Sequence, residues 1–169
     1  MMRSLFRTFK KRITYNQNKN HLVNLCALAL SDGKFDDIEQ QYIISIGNQL
    51  GITEEEGLEI IDYCKQNPVV IKTKKSLFGN KKLSDYFALV IADGIIHPNE
   101  VRLIEFIGEK WGYDESQVNK LLTLTKSYFG GQITKLNIKN RLTFLLEEYN
   151  SIFNKISSGI NNQVSIFAM

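Results

Sequence analysis

Residues 27–61, ALALSDGKFDDIEQQYIISIGNQLGITEEEGLEII, and residues 88–122, ALVIADGIIHPNEVRLIEFIGEKWGYDESQVNKLL, are two versions of one pattern. Offset by 61 positions, they agree at Ala27/Ala88, Leu28/Leu89, Asp32/Asp93, Gly33/Gly94, Glu39/Glu100, Ile43/Ile104, Ile46/Ile107, Gly47/Gly108, Gly51/Gly112 and Glu54/Glu115. Agreement of this density at one fixed offset is the signature of an internal duplication.

Each copy reads as helix, tight corner, helix, short turn, helix. The first helix ends at an Asp-Gly pair, where Gly33 or Gly94 suits the left-handed residue that closes a helix. The second helix opens with a cap: Asp36 is followed three residues on by Glu39, and His97-Pro98-Asn99-Glu100 puts proline at the first helical position. Its apolar face follows at helical spacing, as Ile38, Tyr42, Ile43, Ile46 and Leu50 or as Leu103, Ile104, Ile107 and Trp111, and Gly51 or Gly112 stops it. Thr53 and Asp114 then cap a third helix.

Outward from the repeats, the chain divides into a basic amphipathic N-terminal arm (1–19), a duplicated helical domain (20–126) and a C-terminal segment (127–169). Asn67-Pro68 ends the third helix of copy one, and the basic connector 65–84 reads as a loop. Gly130-Gly131 reads as a break, followed by a long helix with an apolar stripe from Leu142 to Ile156 that packs across both copies, and the last ten residues read as frayed. The predicted fold is all-α: a compact helical domain of two repeated three-helix units plus a long C-terminal helix.

A formal net charge of +3 conceals a segregation along the chain. Residues 1–20 hold six cations and no acid, residues 32–62 hold nine acids against Lys34 alone, and 65–84 are basic again. Residues 93–117 return to acidic. No apolar run approaches the roughly 20 residues that span a bilayer, and the basic start lacks the apolar stretch of a signal peptide, so a cytoplasmic protein is expected. Cys26 and Cys64 lie in apolar helical patterns without zinc or redox spacing and read as buried thiols.

Ser31-Asp32-Gly33 with Glu39, repeated as Ala92-Asp93-Gly94 with Glu100, resembles the mark of the TerB-like family, a helical domain associated with tellurite resistance and related to the N-terminal part of DjlA-type co-chaperones. The resemblance covers about residues 20–125. It implies an all-helical fold without a catalytic constellation, a cytoplasmic setting, an association with stress responses and with complexes near the inner membrane face, and divalent-metal binding at the acidic corners. His97 departs from the pattern by replacing the acid that stands at Asp36 in the first copy.

Physical chemistry leaves two readings open for these acids. Asp32 and Asp93 face the negative ends of helix dipoles, a choice that costs roughly 0.3–1 kcal/mol each and invites a reason. In one reading Asp32 and Glu39, with Asp36 or Asp37, converge on a hard cation, and Asp93 with Glu100 does likewise. In the other, Glu39 and Glu100 are capping-box acids, and Asp32 and Asp93 accept amides within their own corners. An EF-hand is excluded, because Leu28 and Leu30 fall at its first and third ligand positions.

No phosphate loop or Ser-His-Asp or Cys-His arrangement is present, and His21, at a helix start, and His97, at a cap, read as surface or capping residues. The chain is therefore expected not to be an enzyme. The expected function is a scaffold or adaptor that binds a protein partner or a divalent cation (calcium, magnesium or manganese) at Asp32, Asp36, Glu39, Asp93 and Glu100. One alternative is a divalent-metal-responsive sensor. Another is a peripheral binder whose basic arm meets the inner-membrane surface or nucleic acid; nucleic acid is the weaker fit, because the connector Lys72–Lys82 has one aromatic, Phe78, and no reading motif. Against the membrane stands an ordinary first helix that packs its apolar stripe on the core.

Overall fold

Two glycines, Gly33 and Gly94, form the corners that lead into the capped helices. Gly33 has φ 87° and Gly94 φ 90°, in the left-handed region that residues with a Cβ rarely enter. The computed structural model describes residues 2–67, 71, 79–133, 135–149, 151–153 and 155, with side chains at all of these except 2–10, 79–82, 128–133 and 138. Among the described residues the chain is all-α, in the order α1 (Met2–Ala29), a 3-10 turn (Leu30–Asp32), α2 (Asp37–Gln49), α3 (Glu54–Gln66), α4 (Gly79–Val90), α5 (Pro98–Lys110), α6 (Glu115–Ile133), α7 (Ile138–Thr143) and a π turn (Phe144–Tyr149).

The caps fall where the sequence puts them. Glu39 Oε2 accepts the Asp36 amide at 2.8 Å, and Glu100 Oε2 accepts the His97 amide at 2.8 Å. Thr53 Oγ1 accepts the Glu56 amide at 3.2 Å at the head of α3, and Asp114 Oδ1 accepts the Gln117 amide at 2.8 Å at the head of α6. Each bond satisfies a donor that the helix itself leaves open.

The core runs along α1 and α4, which pack on each other while α2 and α3 close over α1. Leu22, Leu25 and Leu28 from α1 meet Tyr86, Phe87 and Leu89 from α4, all buried. Cys26 and Cys64 are free and buried, as expected. Gly47 and Gly108 let helices approach: a Cβ at Gly47 would stand 2.9 Å from Leu22 Cδ2, and one at Gly108 2.6 Å from Val118 Cγ2. Mid-helix glycine costs about 1 kcal/mol relative to alanine, and the close contact offsets it.

Four expectations are corrected. Gly130-Gly131 does not break the chain, since α6 continues through it to Ile133; α6 is anchored upstream by the buried Val118, Leu121, Leu122 and Thr125, and tertiary packing overrides local propensity. The connector 65–84 is not all loop: α3 reaches Gln66 and α4 begins at Gly79, while 68–70 and 72–78, with Phe78, lie outside the described residues. The stripe from Leu142 is not one regular α-helix, because the chain widens into the π turn before Leu145, Tyr149 and Phe153 reach the core; Ile156 and the frayed end lie outside the described residues. Finally, α1 is one helix through residues 19 and 20, so His21 is mid-helix and buried.

The buried His21 joins the two halves. Its Nε2 lies 2.8 Å from Asp85 Oδ2 and its Nδ1 3.1 Å from the Tyr86 hydroxyl, both on α4. Tyr86 in turn packs against Trp111, with ring centroids 5.6 Å apart. Burial pushes the Tyr86 phenol well above its ordinary range.

Gly108→Ala is expected to destabilise the protein by about 1–2 kcal/mol, because Val118 is β-branched and cannot swing away within a helix. Adding Val118→Ala should recover part of that loss, so that the double variant is more stable than the sum of the single effects. Thermal unfolding followed by circular dichroism measures all three; strict additivity would mean that the two positions do not press on each other.

Candidate functional site

The acidic corners are built by their own backbones. Asp32 Oδ1 accepts the Lys34 amide at 2.8 Å, and Asp93 Oδ1 accepts the Ile95 amide at 2.7 Å. Each aspartate thus folds the chain back over its glycine, the local role that Asp takes in turns. The capping reading of Asp32, Glu39, Asp93 and Glu100 is therefore realised at one oxygen of each carboxylate.

The two corners also face each other, which the sequence did not indicate. The head of α5 sits on the first corner: Asn99 Nδ2 donates to Ser31 O at 2.9 Å, and His97 Nε2 stands 3.3 Å from Asp32 Oδ2. His97, which replaces the second copy's acid, is thus a cross-corner contact as well as a cap. The second corner is held from the C-terminal side, where Arg141 Nη1 donates to Ala92 O at 3.0 Å. Asp32, Asp36, Glu39, Asp93 and Glu100, chosen from two stretches 61 residues apart, form one neighbourhood.

Electrostatics registers that neighbourhood. Glu39 is buried, and its carboxyl is pushed up to about 8: burial raises it, the Asp36 amide partly offsets this, and the charges of Glu100, Asp36 and Asp93 raise it further. Burial likewise lifts Glu100 to about 7 against the His97 amide, with Asp93 and Asp32 repelling its charge. Asp93 is raised by burial, again against its own amide bond and with Asp36 and Asp32 adding repulsion that His97 partly cancels. Three of the five acids hold their charge reluctantly, chiefly because they are buried and further because the others are near.

The donor type suits a hard cation, which takes carboxylate oxygens. The assembly is incomplete: among the described residues no three His, Cys, Asp or Glu side chains are grouped so as to hold one ion. What the arrangement offers in this conformation is five carboxyl groups at two facing half-sites. The groove between α5 and α6, about 490 Å3, is lined by Ile96, Pro98, Val101 and Leu122 with Arg102 and Lys126, and contains no carboxylate, histidine or cysteine.

Sequence reading missed the His21–Asp85–Tyr86 network. Its signal was a histidine and an aspartate each at a core position of an apolar helical pattern, His21 ahead of Leu22 and Leu25 on one helix and Asp85 between Leu83 and Phe87 on the other. His21, Asp85 and Tyr86 are all buried, so the network reads as a device that fixes how α1 meets α4.

The raised carboxyls give a signed pH dependence. In the unfolded chain Glu39 and Glu100 ionise near 4.5, whereas the folded protein retains their protons until about 8 and about 7. Their contribution is fully present below 4.5 and is lost as pH rises through that window. Glu39→Gln with Glu100→Gln keeps an acceptor for each cap, so the variant is expected to match wild type near pH 4.5 and to exceed it at pH 8 by on the order of a few kcal/mol. Urea unfolding at both pH values checks this; equal gains at both would show that charge is not the cause. No protein-family model matches the chain, and comparison with curated proteins and with solved structures gave no match.

Proposed function

We propose that the protein is a non-enzymatic, TerB-like helical adaptor whose facing acidic corners receive a cationic group of a partner. The observation that carries this reading is the convergence of the corners, with Asn99 and His97 of one copy seated on Ser31 and Asp32 of the other and with Glu39 and Glu100 raised by burial and repulsion. A site that strains under its own negative charge gains when a positive group arrives. The Ser/Ala-Asp-Gly corner with its glutamate, present in both copies, supports the family resemblance and with it the stress-response setting.

The same charge favours a second reading, a divalent-cation-responsive sensor in which an ion draws the two half-sites together. Asp32, Asp36, Glu39, Asp93 and Glu100 are its candidate ligands, and calcium, magnesium and manganese its candidate ions.

One experiment tests both readings. Thermal unfolding is followed with millimolar calcium, magnesium or manganese, or with a short arginine-rich peptide, on wild type and on Asp32→Asn with Asp93→Asn. The amide oxygens of the variant can still accept the corner amides, so the turns persist while the charges leave. A cationic ligand is expected to raise the wild-type midpoint by at least about 2–4 °C and to leave the variant unmoved. A response to the peptide supports the adaptor, and a response to an ion supports the sensor. No response to any of them rejects both.

A further inference from the structure

The first turns of α1 lie outside the logic of the corners. From His21 onward α1 is threaded with buried side chains, and upstream of them Tyr15 is partly buried against the core. There the Tyr15 hydroxyl donates to Glu56, Lys19 Nζ lies 3.1 Å from the same carboxylate, and Asn18 Nδ2 donates to Leu50 O at 3.0 Å. Lys19 and Tyr15 hold the Glu56 carboxyl down at about 2. Before this anchor, Lys11, Arg12 and Ile13 are exposed, Ile13 at 44%.

The helix nevertheless continues back to Met2. About three and a half turns, roughly 20 Å, precede Tyr15, a length at which an isolated helix is marginal in water. Their composition works against them further. Arg3, Arg7, Lys10, Lys11 and Arg12 repel one another, and the first acid of the chain is Asp32, so no acid within the stretch can form a stabilising i,i+4 pair. The first turn has no acidic residue, and Arg3 and Arg7 lie near the positive end of the helix dipole. On the helical period the Leu5, Phe6, Phe9 and Ile13 positions fall in one stripe about 100° wide, with Arg3, Arg7 and Lys11 on the other side, Lys10 near the border and Arg12 beside Leu5.

Cations alone would fit any polyanion. The aromatic and aliphatic stripe fits a partner that is both anionic and apolar, with negative headgroups above an acyl interior. We propose that residues 2–14 form an interfacial anchor that lies on an anionic phospholipid bilayer, with the Leu5, Phe6, Phe9 and Ile13 positions toward the acyl boundary and the basic positions against the headgroups. The anchor is independent of what the acidic corners bind. It would hold the acidic units on a negative surface through a basic handle of five cations, Arg3, Arg7, Lys10, Lys11 and Arg12.

The test uses the full chain with vesicles of phosphatidylcholine alone or containing about 30% phosphatidylserine, separated by flotation. Wild type is expected to float with the anionic vesicles at least about tenfold more strongly than with the neutral ones, and to be released by salt. Arg7→Glu with Lys10→Glu and Lys11→Glu should abolish flotation. Phe6→Ser with Phe9→Ser should also reduce it at least about tenfold while leaving the thermal midpoint of the body unchanged. Absence of wild-type binding to anionic vesicles overturns the proposal. So does serine-variant binding equal to wild type, which would point to a nucleic acid or an acidic protein face. A fall of several degrees in the serine variant's midpoint would instead place those phenylalanines in the core and overturn the proposal too.

Discussion

The placement of two glutamates under two turns constrains this molecule more than any other feature. Glu39 and Glu100 must lie low enough to accept the amides at the heads of α2 and α5, and that requirement takes them out of water. Once there, each is close to the other's corner. The helices on either side are aligned by the same bonds: α1 turns into α2, and α4 into α5, through an aspartate that takes an amide two residues on. Capping and charge crowding are therefore a single design, and the stability gained by the first is partly spent on the second.

Much of this was legible in the sequence, and the reason is locality. A capping box, an Asp-Gly corner and the first helical proline depend on residues within four positions of one another, so Asp36–Glu39 and His97–Glu100 could be read directly. The same holds for Thr53 and Asp114. Burial of Cys26 and Cys64 followed from helical periodicity, which a duplicated pattern makes easier to see.

The failures are non-local. Nothing near Asp32 announces that His97 will reach it from across the molecule, and nothing near His21 names Asp85 as its partner. Gly130-Gly131 carries a strong local signal for a break, yet a helix already fixed by Val118, Leu121 and Thr125 continues through it. The π turn at Phe144–Tyr149 has no sequence signature, although the buried Tyr149 and Phe153, whose rings stand 5.8 Å apart, keep the four-residue spacing of the apolar stripe.

The buried bond between His21 and Asp85 spans 64 positions of the chain, and this separation sets an order of events during folding. Closing so long a loop carries an entropic cost that local helix formation does not, and the packing of α1 on α4 must offset it. Until α4 has left the ribosome, His21 lacks its partners Asp85 and Tyr86. α1, packed on α2 and α3, therefore gains its full set of buried polar partners only once α4 has been made, which ties the early part of the chain to the later one from the moment of synthesis.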